Sequence, residues 1–373
     1  MDQRDLQKAV ELRHALHAHP ELSNHESWTK AHLMDFLRQN TSRLDIVDKG
    51  SWFYAAYRAG ADRPGVAFRA DFDAVPVADE LDLPYVSTVP GVGHKCGHDG
   101  HSAALAALAL EIDREGADKN VFFLFQHAEE TGDGAKVCTA LFRDERVDEI
   151  FGFHNRPGIP LGMVQVLDGT VYCGSEGAIL DFRGVPSHAS MPELGRNPAY
   201  AISDIIQRLP QLQDPGRYRG LVLATIIQVD VGERAFGTQA SRGKLLLTIR
   251  GEHEEELQRL QDELEALARE RAEAYGLGLE IGYCDVFPNT VSHPQSNEKV
   301  RAVCRELGIP VREMPGPYRG SEDFGHYTKA IPGAFFEIGS GESCPDLHTV
   351  GMDFPDAIIG TAVDIFRGLI GRA

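Results

Sequence analysis

Long apolar runs and paired cysteines are both missing from this sequence of 373 residues. No segment approaches the roughly 20 apolar residues that span a bilayer. Residues 1–12 are charged and helical in pattern, without the apolar core of a signal peptide. The six cysteines have no paired spacing, which is typical of reduced thiols and not of a disulfide framework. We therefore expect a cytoplasmic protein that does not bind membranes.

Positive charge is also scarce. The sequence has 37 Lys and Arg residues against 56 Asp and Glu residues, which gives a formal net charge of −19. Such an excess repels phosphate backbones and anionic headgroups, so nucleic acid and membrane surfaces are excluded as expected partners. Part of the excess lies in residues 251–274, where nine acids and three Arg predict the solvated face of one long helix.

What the sequence does contain is enough apolar material for two cores. Chains longer than about 250 residues usually divide into domains, and 42% of these residues are hydrophobic. Short apolar runs such as 65–70 and 121–125 alternate with helical stretches, which predicts an α/β fold with a mostly parallel, mixed sheet covered by helices. From Gly174 the pattern changes to strands and helices without clustered ligand residues. We expect a first domain of residues 1–174 and 290–373, interrupted by an inserted α+β domain of residues 175–289.

Fifteen histidines are present, and several lie where a parallel sheet usually binds ligands. In such sheets the ligand site lies beyond the carboxyl ends of the strands. Four segments place Cys, His, Asp or Glu at or near predicted strand ends, namely residues 93–101, 126–130, 154 and 346–348. Thiolate, imidazole and carboxylate together suit borderline divalent metals such as zinc, manganese, cobalt or nickel. Taken together, the four segments predict a metal site.

Seven motifs follow one another along the chain: RADFDAVP (69–76), HKCGHDGHSAA (94–104), FQHAEETGDGA (125–135), GFHNRPG (152–158), FRGVPSHASMP (182–192), SEDFGHY (321–327) and LHTVGMDFPD (347–356). In this order they resemble the motifs of the M20 metallopeptidase superfamily. The resemblance is to its amidohydrolase branch, which includes hippurate hydrolase, the auxin-conjugate hydrolases and aminobenzoyl-glutamate hydrolase. It implies a zinc-peptidase-like catalytic domain, an inserted dimerisation or lid domain that joins a homodimer, and two divalent metal ions per subunit.

The resemblance also assigns roles to individual residues. It implies Glu129 as the general base and His188, in the inserted domain, as a donor to the substrate or the developing oxyanion, often in the active site of the partner subunit. Two metals about 3.5 to 4 Å apart can share a water, lower its pKa and polarise an amide carbonyl, so a metal-bound water is the expected nucleophile. The implied metal ligands are Cys96, His98, Glu130, His154 and His348.

Neighbouring polar residues have supporting roles in this interpretation. Asp71 and Asp73 follow a predicted strand, and Asp73 is implied to accept a hydrogen bond from a ligand imidazole. Asp99 is an alternative orienting group, while His101 either does similar work or caps the helix that follows it. No role for His17 can be derived from the sequence.

The chain departs from the family pattern at two places. Residues 234–239 read Arg-Ala-Phe-Gly-Thr-Gln where family members commonly carry Asn-Val-Ile-Pro in a loop near the substrate. His127 stands where Pro is usual before Ala-Glu-Glu. The altered loop around Phe236 means that no relative's substrate can be assigned to this chain.

The leading prediction is a metal-dependent amidohydrolase that cleaves the amide bond of N-acyl amino acids or related small conjugates. A metal-dependent dipeptidase or aminopeptidase is the closest alternative. A cysteine hydrolase built on Cys96 and a nearby His is a different class, but a nucleophile and base usually come from distant segments, and His98 is only two residues away. A non-catalytic binding protein on the same scaffold is the third alternative.

Overall fold

A computed structural model describes the whole chain, residues 1–373, and its residues group into two units. The large unit comprises Met1–Val171, Thr290–Pro317 and Glu322–Ala373. The small unit comprises Tyr172–Asn289 and Tyr318–Ser321. The expected boundaries after residues 174 and 289, and the lid or dimerisation role of the inserted segment, stay predictions.

Fourteen strands occur along the chain: β1 Leu44–Asp48, β2 Phe53–Tyr57, β3 Gly65–Asp71, β4 Asn120–Gln126, β5 Glu149–Pro157, β6 Val164–Val166, β7 Gly169–Tyr172, β8 Gly174–Arg183, β9 Val222–Val231, β10 Arg242–Gly251, β11 Gly278–Phe287, β12 Thr290–Ser292, β13 Val311–Glu313 and β14 Gly333–Gly341. Ten α-helices accompany them: α1 Gln3–Ala18, α2 Ser27–Asn40, α3 His98–Glu115, α4 Gly134–Cys138, α5 Leu141–Asp144, α6 Ala199–Leu212, α7 Glu254–Tyr275, α8 Pro294–Leu307, α9 Gly325–Thr328 and α10 Ala357–Ile370. None of these helices has the length and apolar character required to cross a bilayer.

The main sheet of the large unit has the strand order β1-β2-β4-β3-β5-β14-β6-β13. Its central strands, β4, β3, β5 and β14, are parallel to one another. The pairings β1-β2, β2-β4 and β14-β6 are antiparallel. The predicted α/β class with a mostly parallel, mixed sheet is therefore confirmed.

The central strands are buried along most of their length because helices cover the sheet. Every residue of β3 and of β4 is buried, which explains why both read as continuous apolar runs and not as alternating ones. Phe68 of β3 lies against Phe151 of β5 and against Phe366 of α10, with ring centroids 6.1 and 4.6 Å apart. The carboxyl ends of β3 and β4 are in register, with Asp71 opposite Gln126.

Helix α3 places the Cys-Gly-His motif at this edge of the sheet. The helix begins at His98, and its residues from His98 to Ile112 are buried. Gly97 precedes it with φ +101°, and a Cβ at that position would lie 2.3 Å from Asn155 Oδ1. Both the left-handed backbone and the close approach require glycine, so the helix can start directly against β5.

The small unit contains a four-stranded antiparallel sheet in the order β11-β8-β10-β9. Its core includes α6 and a stripe of leucines on α7, which is buried at Leu257, Leu260, Leu264 and Leu267. The expected helix over 251–274 begins three residues later, at Glu254. Strand-like patterns in the sequence predict β3, β4, β5, β8, β9, β10 and β14. The remaining seven strands, β1, β2, β6, β7, β11, β12 and β13, are not predicted in this way. Six of the seven have only three to five residues, too few to show a clear period.

Candidate metal centre

The five predicted ligands come from four separate segments of the large unit and meet at the carboxyl edge of the main sheet. Cys96 and His98 lie at the start of α3, and Glu130 follows β4 by four residues. His154 lies within β5, and His348 follows β14. The parallel register of β3, β4 and β5 places these segments side by side. The structure therefore brings all five side chains together.

The distances between donor atoms define two overlapping groups. Cys96 Sγ lies 3.3 Å from His154 Nε2, and these atoms form one group with a His98 nitrogen. Glu130 Oε1 lies 3.2 Å from His348 Nε2, and these form a second group that again includes Cys96. Within each group the donor atoms lie within 4.8 Å of one another. Cys96 belongs to both groups.

The hydrogen bonding of His98 fits a metal ligand. Its Nδ1 donates to Asp73 Oδ1 over 3.0 Å, which leaves Nε2 to face the other donors. Nε2 is buried and has no hydrogen-bond partner, although it lies 3.7 Å from Glu130 Oε1. A buried nitrogen without a partner is costly unless a ligand satisfies it. The mixture of thiolate, imidazole and carboxylate suits a borderline divalent cation, so the residues present fit the two metals that the motifs imply.

Asp73 orients more than one part of this centre. Besides the bond to His98, its Oδ2 accepts hydrogen bonds from the Ser23 hydroxyl at 2.7 Å and from the Glu130 amide at 2.9 Å. Asp73 thus holds a candidate ligand from α3 and the backbone of another after β4. This geometry is the one implied for Asp73 by the motif resemblance.

His101 lies next to the rings of His98 and His154 and does not cap α3. Its Nδ1 donates to Asp71 Oδ1 and its Nε2 lies beside Asn155 Oδ1, both over 2.7 Å. It is almost fully buried. Of the two roles considered from the sequence, the structure therefore favours the one in which His101 orients neighbouring site residues over the one in which it caps the helix.

Asp99 lies next to His98 in sequence but orients other residues. Its Oδ2 accepts from His17 Nδ1 at 2.8 Å and from Arg13 Nη1 at 3.2 Å. His17 Nε2 in turn donates to Asp79 Oδ2 at 3.0 Å. His17, for which no role could be derived, therefore bridges two buried carboxylates and ties α1 to the start of α3. The expectation that Asp99 orients a metal ligand has no support in these contacts.

Glu129, the general base implied by the motifs, is buried beside the donors. One of its carboxylate oxygens lies 3.9 Å from His98 Nε2. Burial, followed by the charges of Glu322 and Glu130, raises the pKa of Glu129 well above its usual range. Positive charge nearby would oppose this shift and favour the ionised carboxylate.

A buried network of charged side chains lies next to Glu129, and the sequence analysis did not predict it. Arg69 Nη1 donates to Asp71 at 2.6 Å, and Nη2 donates to Asp323 at 2.9 Å and lies 3.0 Å from Glu322. Burial raises the pKa of Glu322 to about 8 and that of Asp323 to about 6, even though Arg69 opposes both shifts. Two features of the sequence could have indicated this network: a charged Arg inside an apolar strand, and the acidic pair in SEDFGHY.

The pKa values around the donors show how protons and cations compete. Burial lowers the pKa of His98, but the charges of Asp71 and Asp73 outweigh it and raise the pKa to about 10. Burial raises the pKa of the Cys96 thiol well above its usual range, with Glu130 adding to the effect. Because ligands must lose these protons to bind a metal, binding is expected to release protons.

His188 lies in the small unit on an exposed loop. Its Nδ1 lies 2.7 Å from the Ser190 hydroxyl, and its backbone pairs with Thr238. The same loop pairing places Phe236 at a tip where 92% of the residue's surface is exposed. The substrate role implied for His188 stays a prediction.

The fold and the donor set together define a metal-binding hydrolase of the α/β class. The sequence profile of Peptidase family M20/M25/M40 matches residues 67–372, and the chain belongs to this family. The family and the hydrolase class indicated by the seven motifs are thereby confirmed.

Individual relatives agree with this assignment over nearly the full length. An uncharacterized hydrolase of Staphylococcus aureus is 28% identical over 383 aligned residues, covering 99% of this chain and 98% of the relative. The crystal structure of the Bacillus subtilis YXEP protein, described as a dinuclear metal binding peptidase from M20 family, has a TM-score of 0.84 at 24% identity and covers 99% of this chain and 98% of that one. The aminobenzoyl-glutamate utilization protein from Klebsiella pneumoniae has a TM-score of 0.73 at 19% identity, covering 99% and 96%. At these identities the two structures establish a shared fold.

Proposed function

We propose that this chain is a dinuclear metal-dependent amidohydrolase that hydrolyses the amide bond of N-acyl amino acids or related small conjugates. The observation that carries the proposal is the convergence of five donor side chains in two groups that share Cys96, with the Glu129 carboxylate beside them. A cysteine nucleophile is disfavoured, because Cys96 Sγ lies within both donor groups and its pKa is raised, not lowered.

Each residue has a distinct part in the reaction. Two divalent cations, when bound, would supply Lewis acidity that polarises the amide carbonyl and lowers the pKa of water. The ligands would be Cys96, His98, Glu130, His154 and His348. Glu129 would accept the proton of the attacking water and deliver it to the leaving nitrogen. Asp73 would keep the His98 ring in the orientation that directs Nε2 at the cation.

The substrate class rests on the motifs and on a structural neighbour. The Klebsiella pneumoniae neighbour is named for the utilization of aminobenzoyl-glutamate, an N-acyl amino acid. The Bacillus subtilis neighbour is described as a peptidase, so dipeptides are the natural alternative. We also propose that His188 donates to the substrate carbonyl oxygen, which its exposed position in the small unit permits.

The proposal is tested by metal analysis together with a substrate panel of N-acetyl, N-benzoyl and N-aminobenzoyl amino acids and matched dipeptides. We expect two metals per chain and turnover of the acylated amino acids. Glu129→Gln should retain both metals and lose at least about a hundredfold in kcat, the usual contribution of a general base. Activity on dipeptides alone would contradict the substrate class, and activity that survives thorough metal removal would contradict the mechanism.

We further propose a homodimer formed through the small unit. Strand β9 lies at the edge of the antiparallel sheet and leaves its outer backbone groups unpaired with any strand. It also exposes Ile226, Ile227 and Val229 to the extent of 40%, 60% and 48%. An exposed apolar edge strand favours pairing with a second chain. Light scattering should show a dimer for the natural chain and a monomer for Ile227→Lys, and a natural chain that is monomeric at assay concentrations would refute this.

A further inference from the structure

The turn between α1 and α2 contacts the loop that carries the proposed base. This linker segment, residues 23–26, contributes three side chains. Ser23 donates to Asp73 at 2.7 Å, and Asn24 donates to Asp133 at 3.2 Å. Glu26 Oε1 accepts a hydrogen bond from the backbone amide of Ala128 at 2.7 Å. Two of these contacts reach the loop of residues 127–134, which is called the base loop because it contains Glu129.

The base loop has a shape that its own sequence does not favour. Ala128 adopts φ +48°, in the left-handed region where a side chain is sterically unfavourable. Its carbonyl then accepts from the amides of Asp133 and Gly134 at 3.2 and 3.1 Å, which closes the loop. The loop is tight, since a Cβ on Gly134 would lie 1.8 Å from His127 O. A strained residue in such a position persists only where its surroundings hold it.

Glu26 is the side chain that holds Ala128. It is 6% exposed, and burial followed by the charge of Asp73 raises its pKa to about 7. A buried carboxyl is costly to a protein, so its retention beside a strained amide points to a task other than general stability. Glu21, five residues earlier, does different work because its two oxygens accept from the Trp28 and Thr29 amides at the start of α2.

We propose that Glu26 is a positioning residue for this centre: by accepting the Ala128 amide, it fixes the left-handed turn that directs Glu129 and Glu130 toward the donor atoms of His98 and Cys96. The part that concerns Glu129 rests on the proposed function. The part that concerns Glu130 rests only on the geometry of the donor groups.

Two substitutions separate the acceptor from the charge. Glu26→Met keeps the length of the side chain and suits a buried position but removes the acceptor. Glu26→Gln keeps an acceptor oxygen and removes the charge. Glu21→Met is the matched control. It removes an acid that lies just before the linker segment and binds the start of α2 instead of the base loop.

The first readout is hydrogen exchange in metal-free protein, which requires neither activity nor a cation. Glu26→Met should increase exchange in a peptide covering the base loop by about tenfold, as expected when a local hydrogen bond is lost. Glu26→Gln should stay within about twofold of the natural chain. Glu21→Met should increase exchange at the start of α2 and leave the base loop unchanged.

The second readout is the affinity for Zn²⁺, measured by competition with a chelator. Loss of an orienting partner typically lowers metal affinity by 10- to 100-fold, so Glu26→Met should bind Zn²⁺ at least about tenfold more weakly, while Glu26→Gln and Glu21→Met bind as the natural chain does. In turnover, kcat of Glu26→Met should fall by about the same factor with KM within about twofold.

The outcomes separate this inference from the proposed function. If Glu26→Met leaves base-loop exchange and Zn²⁺ affinity unchanged, or if Glu26→Gln behaves like Glu26→Met, the inference is wrong. If the natural chain hydrolyses nothing in the panel, the proposed function fails, while exchange and Zn²⁺ affinity still decide the role of Glu26. If Glu26→Met does not fold, it is combined with Ala128→Gly, because glycine adopts the left-handed turn without strain. The effect of Glu26→Met should then be smaller, and an undiminished effect would overturn the proposal.

Discussion

Replacing Arg69 with Met should destabilise the large unit in a pH-dependent way. Arg69 is 2% exposed and faces the carboxylates of Asp71, Glu322 and Asp323 between 2.6 and 3.0 Å. Its Nε also donates to Gln126 at 2.8 Å. Met fills a similar volume but leaves three buried acids without their shared cation. The variant therefore tests charge compensation more than packing.

The expected size follows from the cost of breaking a buried ion pair, about 3 to 5 kcal/mol. The sign of the pH effect follows from the acids that remain. The pKa values of Asp323 and Glu322 are raised to about 6 and about 8 by burial, and loss of Arg69 raises them further. A carboxyl with a raised pKa stabilises the fold below its unfolded pKa and loses that contribution as pH rises through its folded pKa. The variant should therefore lie close to the natural chain near pH 5 and show the full loss above pH 8.

The assay is urea unfolding of metal-free protein at both pH values, followed by tryptophan fluorescence. The chain has two Trp residues, Trp28 and Trp52, and both lie in the large unit, so the signal does not mix the two units. Arg38→Met is the control, because Arg38 pairs with Asp35 on the surface with side-chain exposures of 55% and 60%, and such pairs contribute at most about 1 kcal/mol. A loss below about 1 kcal/mol at pH 8.5, or an equal loss at both pH values, would refute the reasoning.

Three further predictions concern the candidate centre. Peroxide oxidation of Cys96 should abolish activity because the thiolate is lost as a ligand. This is checked by mass spectrometry with metal analysis, and treated protein that keeps both metals and its full rate would contradict it. Burial and Asp73 raise the pKa of Glu26 to about 7, so the natural chain should become less stable as pH rises from 5 to 8. In metal-free protein, its free energy of unfolding should fall by up to about 3 kcal/mol relative to that of Glu26→Gln over this range. Parallel curves of unfolding free energy against pH for the two proteins would contradict this. Gly134→Ala should cost at least about 2 kcal/mol, because its Cβ would meet His127 O at 1.8 Å, and an unchanged urea midpoint would be incompatible with the loop described.

The part of the centre that the sequence predicts is the part encoded locally. Buried parallel strands read as apolar runs, and polar residues directly after them indicate the carboxyl edge of the sheet. His154 and Glu130 were placed at that edge on this basis. The division of roles between Glu129 and Glu130 came from the motif resemblance and not from any pattern in the residues themselves.

The parts that the sequence does not reveal depend on long-range pairing. Arg69 and Asp323 are 254 positions apart, and no periodicity connects them. His17 and Asp99 are 82 positions apart and meet only because α1 packs beside α3. The contact between Glu26 and Ala128 is also hidden in the sequence, because the two residues are 102 positions apart. It depends as well on a left-handed Ala, which propensity scales do not predict.

The acidic excess of the chain has a structural counterpart inside the large unit. Several buried carboxylates there have cationic partners within the chain, such as Asp71 with Arg69, Asp79 with Lys95 and Asp99 with Arg13. Glu129 differs from them, because it lies among the carboxylates of Glu130, Glu322 and Asp323, which raise its pKa together with burial. Like charges so close are unfavourable unless a cation joins them. Divalent cations beside Glu129 and Glu130 would replace this repulsion with attraction. We therefore expect the metal-free large unit to be less stable than the metal-bound one, because the base and the ligand are held close together before the metals bind.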